Sequence, residues 1–217
     1  MQSPSEENYL KVIYLLCQQD NKKVSATILA TILGNNPASV VEMLKKLTEK
    51  KLIEYNKTKG VELTKSGEKV ALMMVRKHRL WEMFLQEKLG YTWDEVHDIA
   101  EQLEHVKGSN LADRLDHFLG FPQFDPHGEP IPASSGQVPG MFSKTLNDVE
   151  VGAECLVVSV KDTSKSFLQY AHTLNIGIGS IIKVTSKIEF DESMTIIIGT
   201  SNETTVSRRF TENVYVK

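Results

Sequence analysis

The feature that most constrains the fold is a helix stop followed at once by a helix start, Gly34-Asn35-Asn36-Pro37. Glycine takes the left-handed geometry that ends a helix. Asparagine is a strong N-cap, and proline suits the first helical position, where its missing N–H costs nothing. Upstream, Ser25 offers a second N-cap, and Ile28, Leu29 and Ile32 recur at helical spacing as far as Gly34. Downstream, Val40, Val41, Leu44 and Leu47 give the next helix one apolar face. An earlier amphipathic helix over residues 5–19 carries Tyr9, Val12, Ile13 and Leu16. Two short helices joined by a tight turn predict a helix-turn-helix, whose second helix enters a DNA major groove.

Directly after it, Leu52-Ile53-Glu54-Tyr55 and Val61-Glu62-Leu63 read as short strands around Asn56-Lys57-Thr58-Lys59-Gly60, a hairpin with a basic tip. A hairpin in that place predicts a wing. Charge follows the same division although the whole chain carries only −3. Residues 1–65 hold ten lysines against seven acids, whereas residues 66–140 hold seven Lys and Arg against twelve acids. A basic segment suits phosphate and an acidic, His-bearing one suits cations.

From Ser66 a long helical pattern runs to about Leu89. Another starts at Thr92, where Thr92-Trp93-Asp94-Glu95 fits a capping box, and a third covers residues 110–119 before Gly120. Leu72, Met73, Leu80, Trp81, Phe84 and Leu85 are a generous apolar supply for so small a helical unit, which predicts a homodimer interface. Residues 121–140 contain five prolines and little periodicity, and read as a linker. Beyond them the pattern becomes β, with runs at 154–160, 180–184, 194–198 and 213–216 and one helix at 167–174, predicting a small barrel. The expected fold is mainly α with small β: a winged helix over 1–65, a helical dimerisation and metal-binding domain with Pro-rich linker over 66–140, and a small β-barrel over 141–217.

The chemistry gathers in the middle domain. At helical spacing His97, Glu101, Glu104 and His105 share one face, and His78 and Glu82, spaced i, i+4, share another. Antiparallel packing would bring six potential ligands together. Imidazole and carboxylate without thiolate suit manganese, iron(II) or zinc. The same spacing also occurs on a merely solvated helix face. Three readings stay open: a metal-dependent DNA-binding repressor, a metal-independent winged-helix regulator sensing a small ligand, and a di-metal carboxylate and histidine enzyme. No apolar run approaches the roughly 20 residues a bilayer requires, so no membrane partner is expected. With only Cys17 and Cys155, no disulfide framework is expected either, which fits the reducing cytoplasm.

Arg76-Lys77-His78-Arg79-Leu80-Trp81-Glu82, Val96-His97-Asp98, Glu101 and Glu104-His105-Val106 together resemble the diphtheria-toxin-repressor family, with its iron-dependent and manganese-dependent members. Glu7-Asn8-Tyr9-Leu10-Lys11-Val12-Ile13-Tyr14 is similar to that family's first helix, and Pro126-His127-Gly128-Glu129-Pro130-Ile131-Pro132 to its interdomain loop. The terminal segment resembles the family's small β-barrel, itself similar to a FeoA-like domain of ferrous-iron transport proteins. The resemblance implies no enzyme and two metal sites per subunit. One would use His78, Glu82 and His97, with Asp162 as the barrel's contribution. The other would use Glu101, Glu104 and His105, completed at the position of Asn8, where the family usually has Met or Asp.

At the position of Glu101 the resemblance implies Cys in iron-dependent members and a carboxylate in manganese-dependent ones. Mn2+ is therefore the expected cofactor, with Fe2+ the alternative. The expected partner is a palindromic double-stranded DNA operator of metal-homeostasis genes, held by a homodimer whose recognition helices metal would space by tying the first helix to the middle domain. Asn36, Ser39 and Glu42 are expected to face the groove, and Lys45, Lys46, Lys57 and Lys59 to contact phosphates.

Overall fold

The computed structural model describes residues 2–18, 24–56 and 58–217, and the chain divides into two compact units. Lys57, expected at the wing tip, lies outside the described residues. The first unit comprises Met1–His78, Glu104–Ala112 and Pro132–Gln137, and the second Arg79–Leu103, Asp113–Ile131 and Val138–Lys217.

In the first unit α1 (Pro4–Gln18), α2 (Ala26–Leu33) and α3 (Pro37–Glu49) precede a hairpin of β1 (Ile53–Asn56) and β2 (Gly60–Leu63). The caps fall where the sequence puts them. Ser25 accepts the Ile28 amide, Asn36 accepts the Ala38 amide, and Gly34 closes α2 at φ +62°. Leu10, Ile13, Leu29, Val40, Leu44, Leu47 and Ile53 form a fully buried core, but of the apolar face expected on α2 only Leu29 is buried, Ile28 and Ile32 being exposed. At the wing tip the Asn56 side chain accepts the amides of Thr58 and Lys59, which shapes the turn.

Helix α4 (Lys65–Leu89) runs through the point where the two units are divided. In the second unit, α5 (Val96–Leu103) buries Val96 and Ala100 beside Leu85. Thr92 forms its capping bonds, with N and Oγ both donating to Glu95 Oε2, but α5 begins only at Val96. Trp93 is drawn into the core of the β domain, and residues 93–95 form a turn instead of a first helical turn. Helix α6 (Leu111–Phe118) begins at the end of the first unit and ends against Gly120.

The terminal part holds β3 (Glu154–Val160), α7 (Lys165–Thr173), β4 (Ile181–Lys187), β5 (Met194–Ile198), β6 (Thr204–Val206), the short α8 (Arg208–Thr211) and β7 (Val214–Val216). The five strands make one antiparallel sheet in the order β6-β5-β4-β3-β7. Irregular register in β3 and β4, at Val157/Ser159 and Val184/Ser186, bends it. Among the described residues β6 and β7 do not pair, so the expected small β domain is present as a five-stranded sheet without the closure of a full barrel. Strand β6 is not among the expected runs: Thr204-Thr205-Val206 carries a single apolar residue, whereas the equally short β7 is apolar throughout.

The supposed linker is ordered and partly internal. Asp125, Pro126, His127, Gly128 and Ile131 are buried. The Asp125 Oδ1 accepts the amides of His127 and Glu129, folding the chain into a tight loop. Gly128 sits at φ +77° so close to β3 that a Cβ there would lie 2.1 Å from the Val158 carbonyl oxygen. No other residue fits.

Candidate metal centre

Of the expected ligands, Glu82 and His97 meet in the second unit, and His78, Glu104 and His105 in the first. In the second unit Glu82 projects from α4 and is 2% exposed. Its Oε1 lies 3.3 Å from Nδ1 of His97 on α5, a side chain that is 48% exposed. Its Oε2 lies 3.7 Å from Nδ1 of His127, which in turn is 4.0 Å from Asp125 Oδ1. Glu82, Asp125 and His127 thus offer two oxygens and one nitrogen, all within 4.8 Å of one another and all buried.

The His127 ring is fixed from behind. Its Nε2 is 2.8 Å from the Trp93 carbonyl oxygen, which can only accept, so Nε2 carries a proton and Nδ1 is the atom turned toward the carboxylates. Burial works to lower the His127 pKa, but the Glu82 and Asp125 carboxylates outweigh it and hold it up at about 9. For Asp125, burial and then the nearby Glu82 and Glu129 push the pKa up to about 7, against Arg79 and His127. Arg79 braces the loop from the other side, donating to the carbonyl of Pro130 and to Glu129. Asp125 Oδ2 makes no hydrogen bond and has Arg79 Nε at 3.5 Å. Two crowded buried carboxylates, one with an oxygen lacking a hydrogen bond, beside an imidazole with an oriented nitrogen, fit a hard divalent cation.

The group in the first unit is built differently. Glu104, just past α5, is fully buried, and Lys11 Nζ from α1 donates to both its oxygens at 2.7 and 2.8 Å. His78 Nδ1 lies 2.7 Å from Glu104 Oε2. His105 turns Nδ1 to Glu7 Oε2 at 2.8 Å, and its Nε2 is 3.6 Å from Glu104 Oε1. Asn8 Oδ1 and His105 Nε2 are buried without a hydrogen bond. Glu101 is half-buried on α5, and Asp162 accepts the Ser164 amide ahead of α7.

Sequence reasoning singled out Glu82, Glu104 and the three histidines of α4, α5 and the turn after it, but not Asp125, His127, Glu7 or Lys11. The cue for the first pair was a histidine two residues from an aspartate in a proline-rich loop. For Lys11 it was position: one turn beyond Glu7 and Asn8 it shares their side of α1.

Of the residues expected to meet DNA, Ser39, Glu42, Lys45 and Lys59 are exposed, and exposed Asn36 spends its side-chain oxygen as the α3 cap. Lys46 and Lys50 both pair with the buried Glu6 of α1, at 2.9 and 2.7 Å. Burial works to raise the Glu6 pKa, but Lys50, the Ser3 amide and Lys46 outweigh it and bring it down to about 2.

Comparison with known proteins gives three consecutive matches. Residues 1–61 match the iron dependent repressor N-terminal DNA binding domain, 64–133 its metal binding and dimerisation domain, and 144–217 the FeoA domain. The regulator MntR of Oceanobacillus iheyensis is 34% identical over 122 residues, covering 56% of this chain and 81% of that protein. The iron-dependent repressor IdeR of Mycobacterium tuberculosis is 33% identical over 126 residues, 58% of this chain and 54% of that one. Among solved structures, a manganese-dependent transcriptional repressor in complex with manganese superimposes with a TM-score of 0.85 at 37% identity, covering 97% of this chain and 98% of the other. ScaR with bound Zn2+ gives 0.78 at 30%, covering 98% of each.

Proposed function

Since the chain belongs to the iron-dependent repressor family, the metal-dependent transcriptional repressors named for the diphtheria toxin repressor, we propose that manganese(II) is its activating ion, with iron(II) second. Membership makes it a DNA-binding repressor with a dimerisation domain and sets the enzymatic reading aside. No helix among the described residues is long and apolar enough to cross a membrane.

The observation that carries the metal reading is the buried Glu82, Asp125 and His127 group. Burying two carboxylates together is costly unless a cation joins them. A divalent ion bound there supplies the charge that lets both stay ionised. Glu82 and Asp125 provide oxygen, His127 provides its oriented Nδ1, and His97 faces Glu82 from α5; the resemblance adds His78 and Asp162 to this first set. The donors are hard and include no thiolate, as does the carboxylate Glu101 in the second set. Because manganese binds weakly to any given ligand set, a manganese sensor must select by oxygen donors and coordination number. The manganese-bound neighbour and the MntR relative support the same choice.

On the DNA side the reading takes α3 as the recognition helix, with Asn36, Ser39 and Glu42 toward the bases and Lys45, Lys46, Lys57 and Lys59 toward phosphates. The working division is a DNA reader over 1–65, a metal and dimerisation part over 66–140, and a β domain over 141–217. Metal and operator affinities must then be coupled in both directions.

The test is fluorescence anisotropy on a duplex selected from a random library, titrated anaerobically with buffered manganese, iron(II), zinc and cobalt. Manganese should raise affinity at the lowest free concentration relative to its cellular level, and Glu82→Gln should abolish the gain. A wild type that answers to iron far below manganese on that scale defeats the metal assignment. An unchanged Glu82→Gln response defeats the site.

A further inference from the structure

The family resemblance assigns Glu101, Glu104, His105 and the position of Asn8 to a second metal site, and the residues present do not fit that role. We propose that the Lys11 ammonium is a built-in counter-ion of Glu104 that stands in for a divalent cation, so that α1 is fastened to Glu104 with or without metal. The inference rests on the family reading above only for where the second site would be.

Three observations carry it. First, both Glu104 oxygens are already taken: Lys11 Nζ donates to Oε1 at 2.7 Å and Oε2 at 2.8 Å, and His78 Nδ1 lies 2.7 Å from Oε2. The two side chains are 5% and 0% exposed, so this is a buried pair and not a surface contact that solvent readily exchanges. A divalent ion would have to claim the same oxygens against a fixed positive charge, in surroundings that screen repulsion poorly.

Second, beyond Glu104 the assigned set brings one further carboxylate, the half-buried Glu101, to offset that competition. Asn8 is neutral, and His105 is engaged through Nδ1 with Glu7. Asn8 Oδ1 and His105 Nε2 are buried without hydrogen bonds, which leaves lone pairs where an ion could sit once Lys11 is gone. The pocket keeps metal-compatible donors, but its buried carboxylate is already neutralised.

Third, Lys11 makes the connection that a metal would make. It lies in the first helix of the DNA-binding segment, and Glu104 is 93 residues further on. The fastening of α1 therefore does not wait for metal, and the response to metal rests on the Glu82 group. Arginine at position 11 should preserve this arrangement, and a neutral residue should undo it.

The experiment counts manganese bound per subunit of the full-length protein by equilibrium dialysis with elemental analysis. Lys11→Met should bind about one equivalent more than wild type, Lys11→Arg no more, and Lys11→Met with Glu104→Gln should lose the gain. A Lys11→Met protein with the wild-type count overturns the proposal, as does a gain that survives Glu104→Gln. In the wild type, 15N-lysine spectra should keep a protected Lys11 ammonium signal when Zn2+ is saturating, and its release to a free-lysine signal also overturns the proposal. This second reading decides the matter if Lys11→Met does not fold. A wild type that binds no manganese defeats the proposed function instead, since the difference between Lys11→Met and wild type would still read the role of Lys11.

Discussion

Glu104 and Glu82 are both buried carboxylates that the sequence nominates as metal ligands, and they solve the problem of burial in opposite ways. Glu104 receives a lysine on both oxygens and an imidazole on one. Glu82 shares its surroundings with a second acid, Asp125, and with His127, whose pKa is driven up. The first group is balanced by a cation that belongs to the chain. The second gathers acids faster than fixed cations and keeps Asp125 toward neutrality. Residue type at a site therefore says less than the charge balance around it: a buried glutamate faces a lysine in one region, and imidazoles and a second acid in the other.

The largest effect expected from this contrast is on stability. Lys11→Met leaves Glu104 buried without its cation, a class of change that costs ~3–5 kcal/mol. Urea unfolding in the presence of chelator should show that loss, with manganese restoring part of it in the variant and much less in the wild type. A loss below about 1 kcal/mol, the range of surface pairs, would break the contrast by making the pair incidental.

Next in size is metal affinity at the second group. Glu82→Gln removes a ligand charge, so manganese affinity should fall by at least the ~10–100-fold that follows loss of a residue merely orienting a ligand. Competition with a fluorescent chelator measures it, and an affinity within twofold of wild type would move the metal elsewhere.

Gly128→Ala sharpens the comparison by disturbing one region only. The added methyl group collides with the Val158 carbonyl and strains a positive φ, so stability should drop by more than about 1 kcal/mol. The loop that holds Asp125 and His127 should shift, lowering manganese affinity while leaving the Lys11 ammonium signal in place. Loss of both would mean that the two groups are not independent.

The smallest effect concerns Glu6, a third buried glutamate, which is held by two lysines as Glu104 is by one. Its folded pKa of about 2 lies below the ordinary 4.5, so its contribution is complete above about pH 4.5 and disappears as pH falls toward 2. Glu6→Gln should flatten the acid limb of the stability curve in that window. An unchanged limb would show that Lys46 and Lys50 do not hold it in solution.

The helix-turn-helix was legible because its signals are local. Ser25, Gly34 and Asn36 act on the backbone within a few residues, and the structure uses each as the sequence suggests. The Asp125–Pro130 loop was not, because its order comes from a side chain folding back on its own amides and from Arg79, neither of which has a period. Lys11 escaped for a different reason. Helical patterning treats lysine as a solvent residue, and only its distant partner explains why this one is inside. The ligand candidates were legible by type and spacing; which of them already had a counter-ion was not.

Trp93 gives the Glu82 group one more property. Its carbonyl holds the His127 ring, and its indole lies nearly parallel to that ring, with centroids 6.3 Å apart, inside the apolar core of the β domain. The imidazole that would exchange a proton for an ion is thus coupled to a chromophore shielded from water. With Trp81 as the only other tryptophan, replacing Trp81 by phenylalanine leaves a protein whose remaining indole emission reports the state of His127. The repressor carries its own dye, so the proposed occupancy of this centre should register in indole emission without DNA or a label.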